Sequence, residues 1–365
     1  MLRRIKSAIG KSSLSASGGE ATQKTRDPLG LARYRGILLV SLALLALVFV
    51  IVLAIGRFSI PFGDTIRILF SKIFPISQTW TNVQEATILT LRLPRAVVAI
   101  IAGGTLALSG ATYQSIFKNP MVSPDLLGVS SGACVGAALA MLFGLGSAMI
   151  QVSAFAFGLA AVALTVTIPR LIRNESTIAL VLSGIVVGSL MGSILTVIKY
   201  IADTSSQLAE ITYWTMGSFA TVEFVDLLPI LPTIVIPTVI ILLMRYRLNV
   251  LSLGDNEART LGINLQTTRN AFIVCSTLIT ASIVCISGTI GWVGLIIPHV
   301  ARMTIGPDNK KMLPIAMLFG GIFMLVIDTL CRTISSAELR LGILTGIIGA
   351  PFFIIILVKQ KRQLR

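Results

Sequence analysis

The sequence predicts an all-α, polytopic membrane protein with about ten transmembrane helices. Of its 365 residues, 55% are hydrophobic and only 12% are charged, whereas about a quarter of the residues of a soluble domain are charged. Apolar stretches recur along the chain between short polar segments. They have the length of roughly twenty residues that a helix needs to cross a hydrocarbon core of about 30 Å.

The predicted spans follow one another along nearly the whole chain. Residues 1–35 are polar and basic and are predicted to form a disordered cytoplasmic tail, and residues 36–365 form the predicted transmembrane domain. The first apolar run, 37–56, is too long for a signal-peptide core and lacks a clear cleavage site. The later spans are predicted at 93–113, 125–145, 149–169, 177–199, 227–244, 270–288, 292–305, 313–331 and 341–358.

The basic residues orient this topology. With the N-terminus in the cytoplasm, 22 of the 30 Lys and Arg residues fall inside and eight fall outside, as the positive-inside rule requires. Ten spans put both termini on the cytoplasmic side of the membrane. Two polar regions on the outer side, 57–91 and 203–226, are longer than simple turns, and the second contains an apolar patch that fits a re-entrant or interfacial segment.

Composition excludes several other classes. The formal net charge of +15 is not arranged as a basic stripe beside aromatic residues, so that nucleic acid is not an expected partner. The four cysteines lie in apolar runs without CxxC spacing, which favours small buried hydrophobes over a disulfide framework or a metal site. No cofactor is expected.

Several motifs occur in a fixed order. Small residues around Gly110 permit close helix packing, and ordinary packing is the simpler interpretation of them. Asn119-Pro120 predicts a cytoplasmic turn, and Gly128 and Gly132 open the following span. The remaining motifs are Arg92-x-Pro-Arg95, Gln114 before the turn, 288–302 with Pro298 and His299, Asp328 with Arg332, Glu338 to Gly342, and 349–353 with Pro351.

Together these motifs resemble the permease family of iron–siderophore and cobalamin ABC importers over residues of about 37–358. One departure is Arg340, where the family usually has proline. The resemblance implies the type II importer permease fold and transport of a ferric siderophore, with cobalamin or haem as the alternative. It also implies four kinds of partner: a second permease subunit, identical or homologous; two ATPase subunits; an extracytoplasmic substrate-binding protein; and the bilayer.

The chain is not expected to be an enzyme. It has no GxxxxGK[ST] loop to bind nucleotide phosphates, so that a separate subunit must hydrolyse ATP. The residue pattern of segment 253–262 predicts a short amphipathic helix, with Asp255 as the N-cap and Gly262 as the C-terminal stop. By resemblance this is the coupling helix that docks on the ATPase, with Glu257, Ala258, Leu261 and Gly262 carrying the match; a plain cytoplasmic loop is the alternative.

Three outer arginines, Arg92, Arg95 and Arg332, match family positions that pair with acids of the binding protein. Snorkelling towards lipid headgroups is the alternative. Asp328 and Arg332, four residues apart on one helix face, fit a structural pair better than a proton relay.

The lone His299 fits a structural hydrogen-bonding residue at a helix break better than a metal ligand. By resemblance, the path runs between two permeases along the fifth and tenth spans. Ser176 and Thr177 then lie at its cytoplasmic gate. An ion-coupled transporter and an intramembrane enzyme are the competing classes, and the chain offers little beyond Asp328 for the first and no convergent catalytic groups for the second.

Overall fold

The computed structural model describes residues 28–173 and 176–363, and within these ranges the regular structure is helical. Most of the predicted tail, residues 1–27, lies outside the described residues. The first helix begins at Pro28, so that residues 28–35, which the sequence placed in the tail, are helical.

Fourteen α-helices are defined in the described ranges. They are α1 (Pro28–Ala54), α2 (Phe62–Ser71), α3 (Asn82–Ala86), α4 (Leu93–Ile116), α5 (Val129–Leu142), α6 (Ser147–Leu171), α7 (Thr177–Ile201), α8 (Gln207–Thr215), α9 (Phe224–Leu253), α10 (Asp255–Thr260), α11 (Leu265–Ser287), α12 (Val293–Ile305), α13 (Asn309–Ile334) and α14 (Leu341–Gln363). A π-helix, Thr87–Arg92, joins α3 to α4, and a 3₁₀ turn, Pro124–Leu127, precedes α5.

Ten of these helices are apolar, and they correspond to the ten predicted spans. Seven are long and apolar enough to cross a membrane, and three apolar helices are shorter: α5, α12 and the apolar part of α14. The 13 residues of α12 extend about 20 Å at 1.5 Å per residue, which is less than the hydrocarbon thickness. The fold class predicted from the sequence is therefore confirmed, with α12 as a part-length helix.

The bundle has two ends that carry different chemistry. At one end α1 stops close to the start of α4, where Arg92 contacts the carbonyls of Leu53 and Ala54; this is called the arginine end below. At the other end α1 starts near the end of α12, where Arg33 donates to the carbonyl of Thr304. Because α10 lies there too, it is called the α10 end.

The second polar region folds back onto the helix ends. Its α8 leads to Gly217, whose carbonyl accepts from the backbone N–H of Leu341 at 2.9 Å, and the N–H of Ser218 donates to the carbonyl of Ser287 at 2.7 Å. Gly217 has φ 75°, a left-handed conformation that favours glycine. The segment thus ties the end of α11 to the start of α14.

The central helix is α4, which packs against α11, α12 and α13. Its Gly103 faces Gly320 of α13 so closely that a Cβ at either position would lie 2.1 Å from the other residue's carbonyl oxygen. Small residues permit such backbone contact, which drives helix association where the surroundings are as apolar as the side chains.

We expect Gly320→Ala to destabilise the protein by about 1–3 kcal/mol, because the added methyl group overpacks a backbone contact that cannot move aside. Gly192→Ala is the matched control, since its Cβ would meet nothing within 4 Å and alanine is the better helix former. The measurement is the unfolding temperature of the purified protein in detergent. Equal temperatures for the two variants would contradict the packing argument.

Candidate functional site

The α10 end presents a short exposed helix. α10 packs Ala258 inward, fully buried, while Leu253 and Leu261 on either side of the helix are 66% and 58% exposed. Beyond its last turn, the N–H of Ile263 donates to the carbonyl of Ala258 and that of Gly262 to Arg259, which is a Schellman motif with Gly262 in the left-handed region at φ 75°. The predicted helix and its glycine stop are therefore present.

The predicted N-cap is wrong by one residue. Gly254 occupies that position without a side-chain cap, and Asp255 is the first helical residue. Its carboxylate accepts instead from Lys118 at 3.1 Å and from Arg269 at 3.4 Å. The hydrogen bond from the Lys118 ammonium holds the pKa of Asp255 below its usual value, and Arg269 acts in the same direction. Since Asp255 is half exposed, these contacts orient α10 more than they stabilise the fold.

A proline inside α12 explains why Gln114 lies where it does. Pro298 lies within α12 rather than at a break, which corrects the sequence-based interpretation. Because proline has no N–H, the carbonyl of Gly294 loses its helical partner. Gln114 of α4 reaches it with Nε2 at 3.4 Å and also reaches the carbonyl of Leu295 at 3.1 Å. The Oε1 atom of Gln114 accepts from Arg302 at 2.5 Å.

This contact needs a glycine on α4. A Cβ at Gly110 would lie 1.9 Å from the carbonyl oxygen of Gly294, so that α4 and α12 meet there backbone to backbone. Asn119 begins the turn after α4, where its side chain accepts from the N–H of Met121, and Pro120 follows it in that turn.

His299 does not lie at the helix break expected of it. It lies inside α12 and is half-buried. The expected break is therefore wrong, and the hydrogen-bonding role stays a prediction. Among the described residues no group of three or more His, Cys, Asp or Glu side chains is placed to hold a metal ion.

At the arginine end, two buried arginines cap the C-terminus of α1. Arg92 donates to the carbonyls of Leu53 and Ala54 at 2.8 and 2.9 Å, and Arg332 donates to that of Val52 at 2.5 Å. The last carbonyls of a helix lack intrahelical partners and carry partial negative charge, which cations offset. A Cβ at Gly56 would lie 2.5 Å from the Arg92 guanidinium, so this glycine makes room for the cap.

Arg95 binds two acids at once. Its Nε lies 2.8 Å from Oδ1 of Asp328, and its Nη1 lies 3.2 Å from Oε1 of Glu338. Arg332, the partner that spacing suggested for Asp328, is farther away at 3.9 Å. The main partner of Asp328 is thus Arg95, 233 residues away in sequence, a contact that spacing along one helix could not reveal. Held by two arginines, Asp328 fits the structural interpretation.

Above these pairs lies an open cavity of about 330 Å³. Four arginines line it (Arg57, Arg92, Arg95 and Arg332), together with the acids Glu223 and Glu338. Arg92 and Arg332 are themselves only 7% and 8% exposed, whereas Arg57 is exposed. The three predicted docking arginines are therefore brought together, but their guanidinium groups already hold internal partners.

The other predicted residues lie on separate elements. Ser176 caps α7 by accepting from the N–H of Ala179; Thr177 begins α7, and its side chain lies outside the described residues. Gly128 is in the left-handed region at φ 81°, and a Cβ at Gly132 would lie 2.6 Å from the carbonyl oxygen of Phe157. Pro351 lies exposed within α14.

Arg340, the residue that departs from the family pattern, lies immediately before α14. Its guanidinium stacks over the ring of Tyr213 in α8, 5.0 Å from the centroid. The substitution therefore ties the entry of α14 to α8 through a cation–π contact.

Comparisons with known proteins agree on one family. The profile of the FecCD transport family matches residues 44–359. The molybdate import system permease protein of Haemophilus influenzae is 39% identical, with 87% of this chain and 94% of that protein covered. The hemin transport system permease protein of Yersinia pestis is 38% identical, with 75% and 83% covered.

A solved structure described as an inward-facing conformation of a metal-chelate type ABC transporter superposes on the chain with a TM-score of 0.80. Its sequence is 37% identical, and the match covers 89% of this chain and 99% of that one.

We expect Arg95→Met to destabilise the protein by about 3–5 kcal/mol, because it leaves the buried Asp328 carboxylate with only the more distant Arg332. Glu338→Gln should cost less than about 1 kcal/mol, since that carboxylate is closer to solvent. The unfolding temperature in detergent measures both. The double variant Arg95→Met/Asp328→Leu should recover most of the loss, and a double variant no more stable than Arg95→Met would refute the ion-pair explanation.

Proposed function

We propose, from the membership of this chain in the FecCD transport family, that it carries ferric siderophores across the bacterial cytoplasmic membrane. The members of this family are permease subunits of ABC importers rather than enzymes. As an ABC permease it is a multi-pass membrane protein that works as a dimer with ATPase partners. The cargo, the composition of the complex and the orientation of the termini belong to the proposal.

The observation that carries the mechanism is the exposed α10. Its Ala258 anchors the helix to the bundle while Leu261 remains 58% exposed, the arrangement expected of a surface that another protein covers. We assign α10 as the coupling helix that receives the ATPase, with Asp255, Glu257, Ala258, Leu261 and Gly262 as its residues. This assignment places the α10 end in the cytoplasm together with both termini.

The arginine end then faces the substrate-binding protein. The cavity there combines four arginines with fewer acids, which supports docking of acidic side chains. Because Arg92, Arg95 and Arg332 are held from within, we propose that they fix the cavity shape and its positive potential. Direct contact falls mainly to Arg57, which is exposed although its Nη2 donates to the carbonyl of Ser335 at 2.6 Å. Such rim contacts chiefly set orientation and association rate.

Translocation is proposed between two permeases, identical or homologous. α7 and α14 are the fifth and tenth spans, and each has a row of exposed apolar residues, such as Leu190 and Ile347 at 51% and 64% exposure, that a second permease would cover. Ser176 and Thr177 begin α7 at the α10 end, which fits a cytoplasmic gate.

The cargo proposal rests on the relatives. A hemin permease and a metal-chelate type transporter are both similar to this chain, which favours an iron chelate. Molybdate is the second candidate, because a molybdate permease matches over 87% of this chain. Cobalamin is the third candidate within the same family.

We expect Leu261→Asp to lower recovery of the ATPase subunit with the purified permease by at least about tenfold, because a charge replaces an apolar contact at the centre of the proposed interface. Folding should be unchanged, since Leu261 is exposed. Leu171→Asp, which changes another exposed leucine at the end of α6, is the matched control. Normal ATPase recovery with Leu261→Asp would refute the assignment of α10.

Uptake assays test the cargo. Cells with and without the gene are compared for uptake of radiolabelled ferric hydroxamate, ferric catecholate, molybdate, cobalamin and haem. We expect one ferric siderophore class to lose uptake on deletion and regain it on complementation. A loss confined to molybdate, cobalamin or haem would replace the siderophore proposal with that cargo, and uptake of all five without change would overturn it.

A further inference from the structure

A single amide at the α10 end links the helix that precedes α10 to the start of α13. Asn249 lies near the end of α9. Its Nδ2 donates to Oδ1 of Asp308 at 2.6 Å, and its Oδ1 accepts from the backbone N–H of Asn309 at 2.8 Å. Both partners belong to the N-terminus of α13, where Asp308 is the N-cap and Asn309 the first helical residue.

Both contacts meet a need of α13. The first backbone N–H groups of a helix have no intrahelical partner, and Asn249 accepts from one of them. Asp308 accepts from the N–H of Lys310 at 3.0 Å and receives a second donor from Asn249. An amide presents a donor and an acceptor side by side, and the two partners fix which way it points. Asn249 is therefore part of the cap of a helix to which it does not belong.

The contacts continue from α13 into α4 and back to α10. Asn309 is 3% exposed, and its Oδ1 accepts from Oγ of Ser115 in the last turn of α4 at 3.0 Å. Just beyond α4, Lys118 binds Asp255 of α10. These links close a ring through α9, α13, α4 and α10, here called the Asn249 ring: Ser115, Lys118, Asn249, Asp255, Asp308 and Asn309.

The contacts of the Asn249 ring differ in burial and in strength. The Lys118–Asp255 pair has side chains that are 39% and 50% exposed, and exposed pairs contribute about 0–1 kcal/mol. The Asn249 links are more enclosed, and the bond to Asp308 is charge-assisted, which strengthens it. The stiffness of the connection between α9 and α13 therefore depends mainly on Asn249.

We propose that Asn249 is a positioning residue that makes α10, the end of α9 and the start of α13 move as one body when the ATPase displaces α10. This inference rests on the proposed coupling role of α10 and is independent of the cargo. Without Asn249, α10 would move while α13 lagged, and ATP hydrolysis would continue with less transport.

The chain permits a donor–acceptor exchange as the test. Asn249→Asp turns the donor into an anion facing the Asp308 carboxylate and should break the link. Asn249→Asp/Asp308→Asn restores it, because the amide now at position 308 can donate its Nδ2–H to the carboxylate now at position 249. Since Oδ1 of Asp308 accepts from both Asn249 and Lys310 in the parent, the exchanged pair regains the link between α9 and α13 at the expense of the Lys310 contact. Asn270→Asp is the control, since Asn270 is half-buried on α11 and its side chain makes no hydrogen bond among the described residues.

The measurement uses the full permease with its ATPase subunit in proteoliposomes. Spin labels at Ser252→Cys in α9 and Lys310→Cys in α13 report their separation by dipolar broadening, with and without Mg-ATP and vanadate. The four native cysteines are buried and leave the labelling specific. We expect nucleotide to leave the broadening unchanged in the parent and in Asn270→Asp, to alter it in Asn249→Asp, and to leave it unchanged again in the exchanged pair.

Transport supplies the second readout. The transported compound is the member of the five-compound panel that the parent imports. Its uptake per ATP hydrolysed should fall about tenfold in Asn249→Asp, which is within the usual range of coupling free energies. The ratio should recover in the exchanged pair. Parental broadening in Asn249→Asp would overturn the inference. The inference would also be overturned if ATP hydrolysis by Asn249→Asp fell in parallel with ATPase binding or with the unfolding temperature, because Asn249 would then have only a structural role.

The two proposals fail in different ways. If Leu261→Asp still recovers the ATPase, the coupling role of α10 is wrong, and the inference about Asn249 falls with it. If Leu261→Asp loses the ATPase while Asn249→Asp behaves like the parent, only the inference about Asn249 is wrong.

Discussion

The structure depends on how it satisfies backbone groups that helices leave unpaired at their ends and at a proline. A buried polar group left without a partner costs several kcal/mol. At the end of α1, Arg92 and Arg332 supply the missing donors. Inside α12, Pro298 frees the carbonyl of Gly294, and Gln114 reaches it from α4. At the start of α13, Asn249 accepts from the first N–H. In all three places the partner comes from a different helix, so that satisfying the backbone also fixes tertiary structure.

This constraint decides what the polar residues can do for partners. The arginines that line the cavity at the arginine end are mostly engaged by α1, Asp328 and Glu338, which leaves few of their donors free for another protein. At the opposite end, α10 is joined to the bundle by the buried Ala258 and by Asp255, which pairs with Lys118 and Arg269, while the leucines beside it face outwards. The polar side chains are thus paired internally at the arginine end, whereas exposed apolar side chains flank α10 at the other end.

The sequence predicted what depends on local pattern. The length and periodicity of apolar runs gave ten spans, and a glycine after a short amphipathic segment gave the end of α10. It could not predict contacts set by tertiary packing. Arg95 pairs with Asp328, which is 233 residues away in the sequence. A π-helix precedes α4 at Thr87–Arg92. Inside α12, Gln114 of another helix donates to the carbonyl that Pro298 leaves without its helical partner. The expected helix break at His299 and the expected N-cap at Asp255 were wrong for the same reason, since both depend on contacts with other helices.

The contact between α4 and α13 has an evolutionary consequence. A Cβ at Gly103 would meet the carbonyl of Gly320, and a Cβ at Gly320 would meet that of Gly103. Neither glycine can therefore be replaced without a clash. The obstacle in both cases is a backbone carbonyl, which a change of side chain at the other position does not remove. Selection for stability is therefore expected to keep both glycines, because a substitution at either position has a cost that a change at the other does not remove.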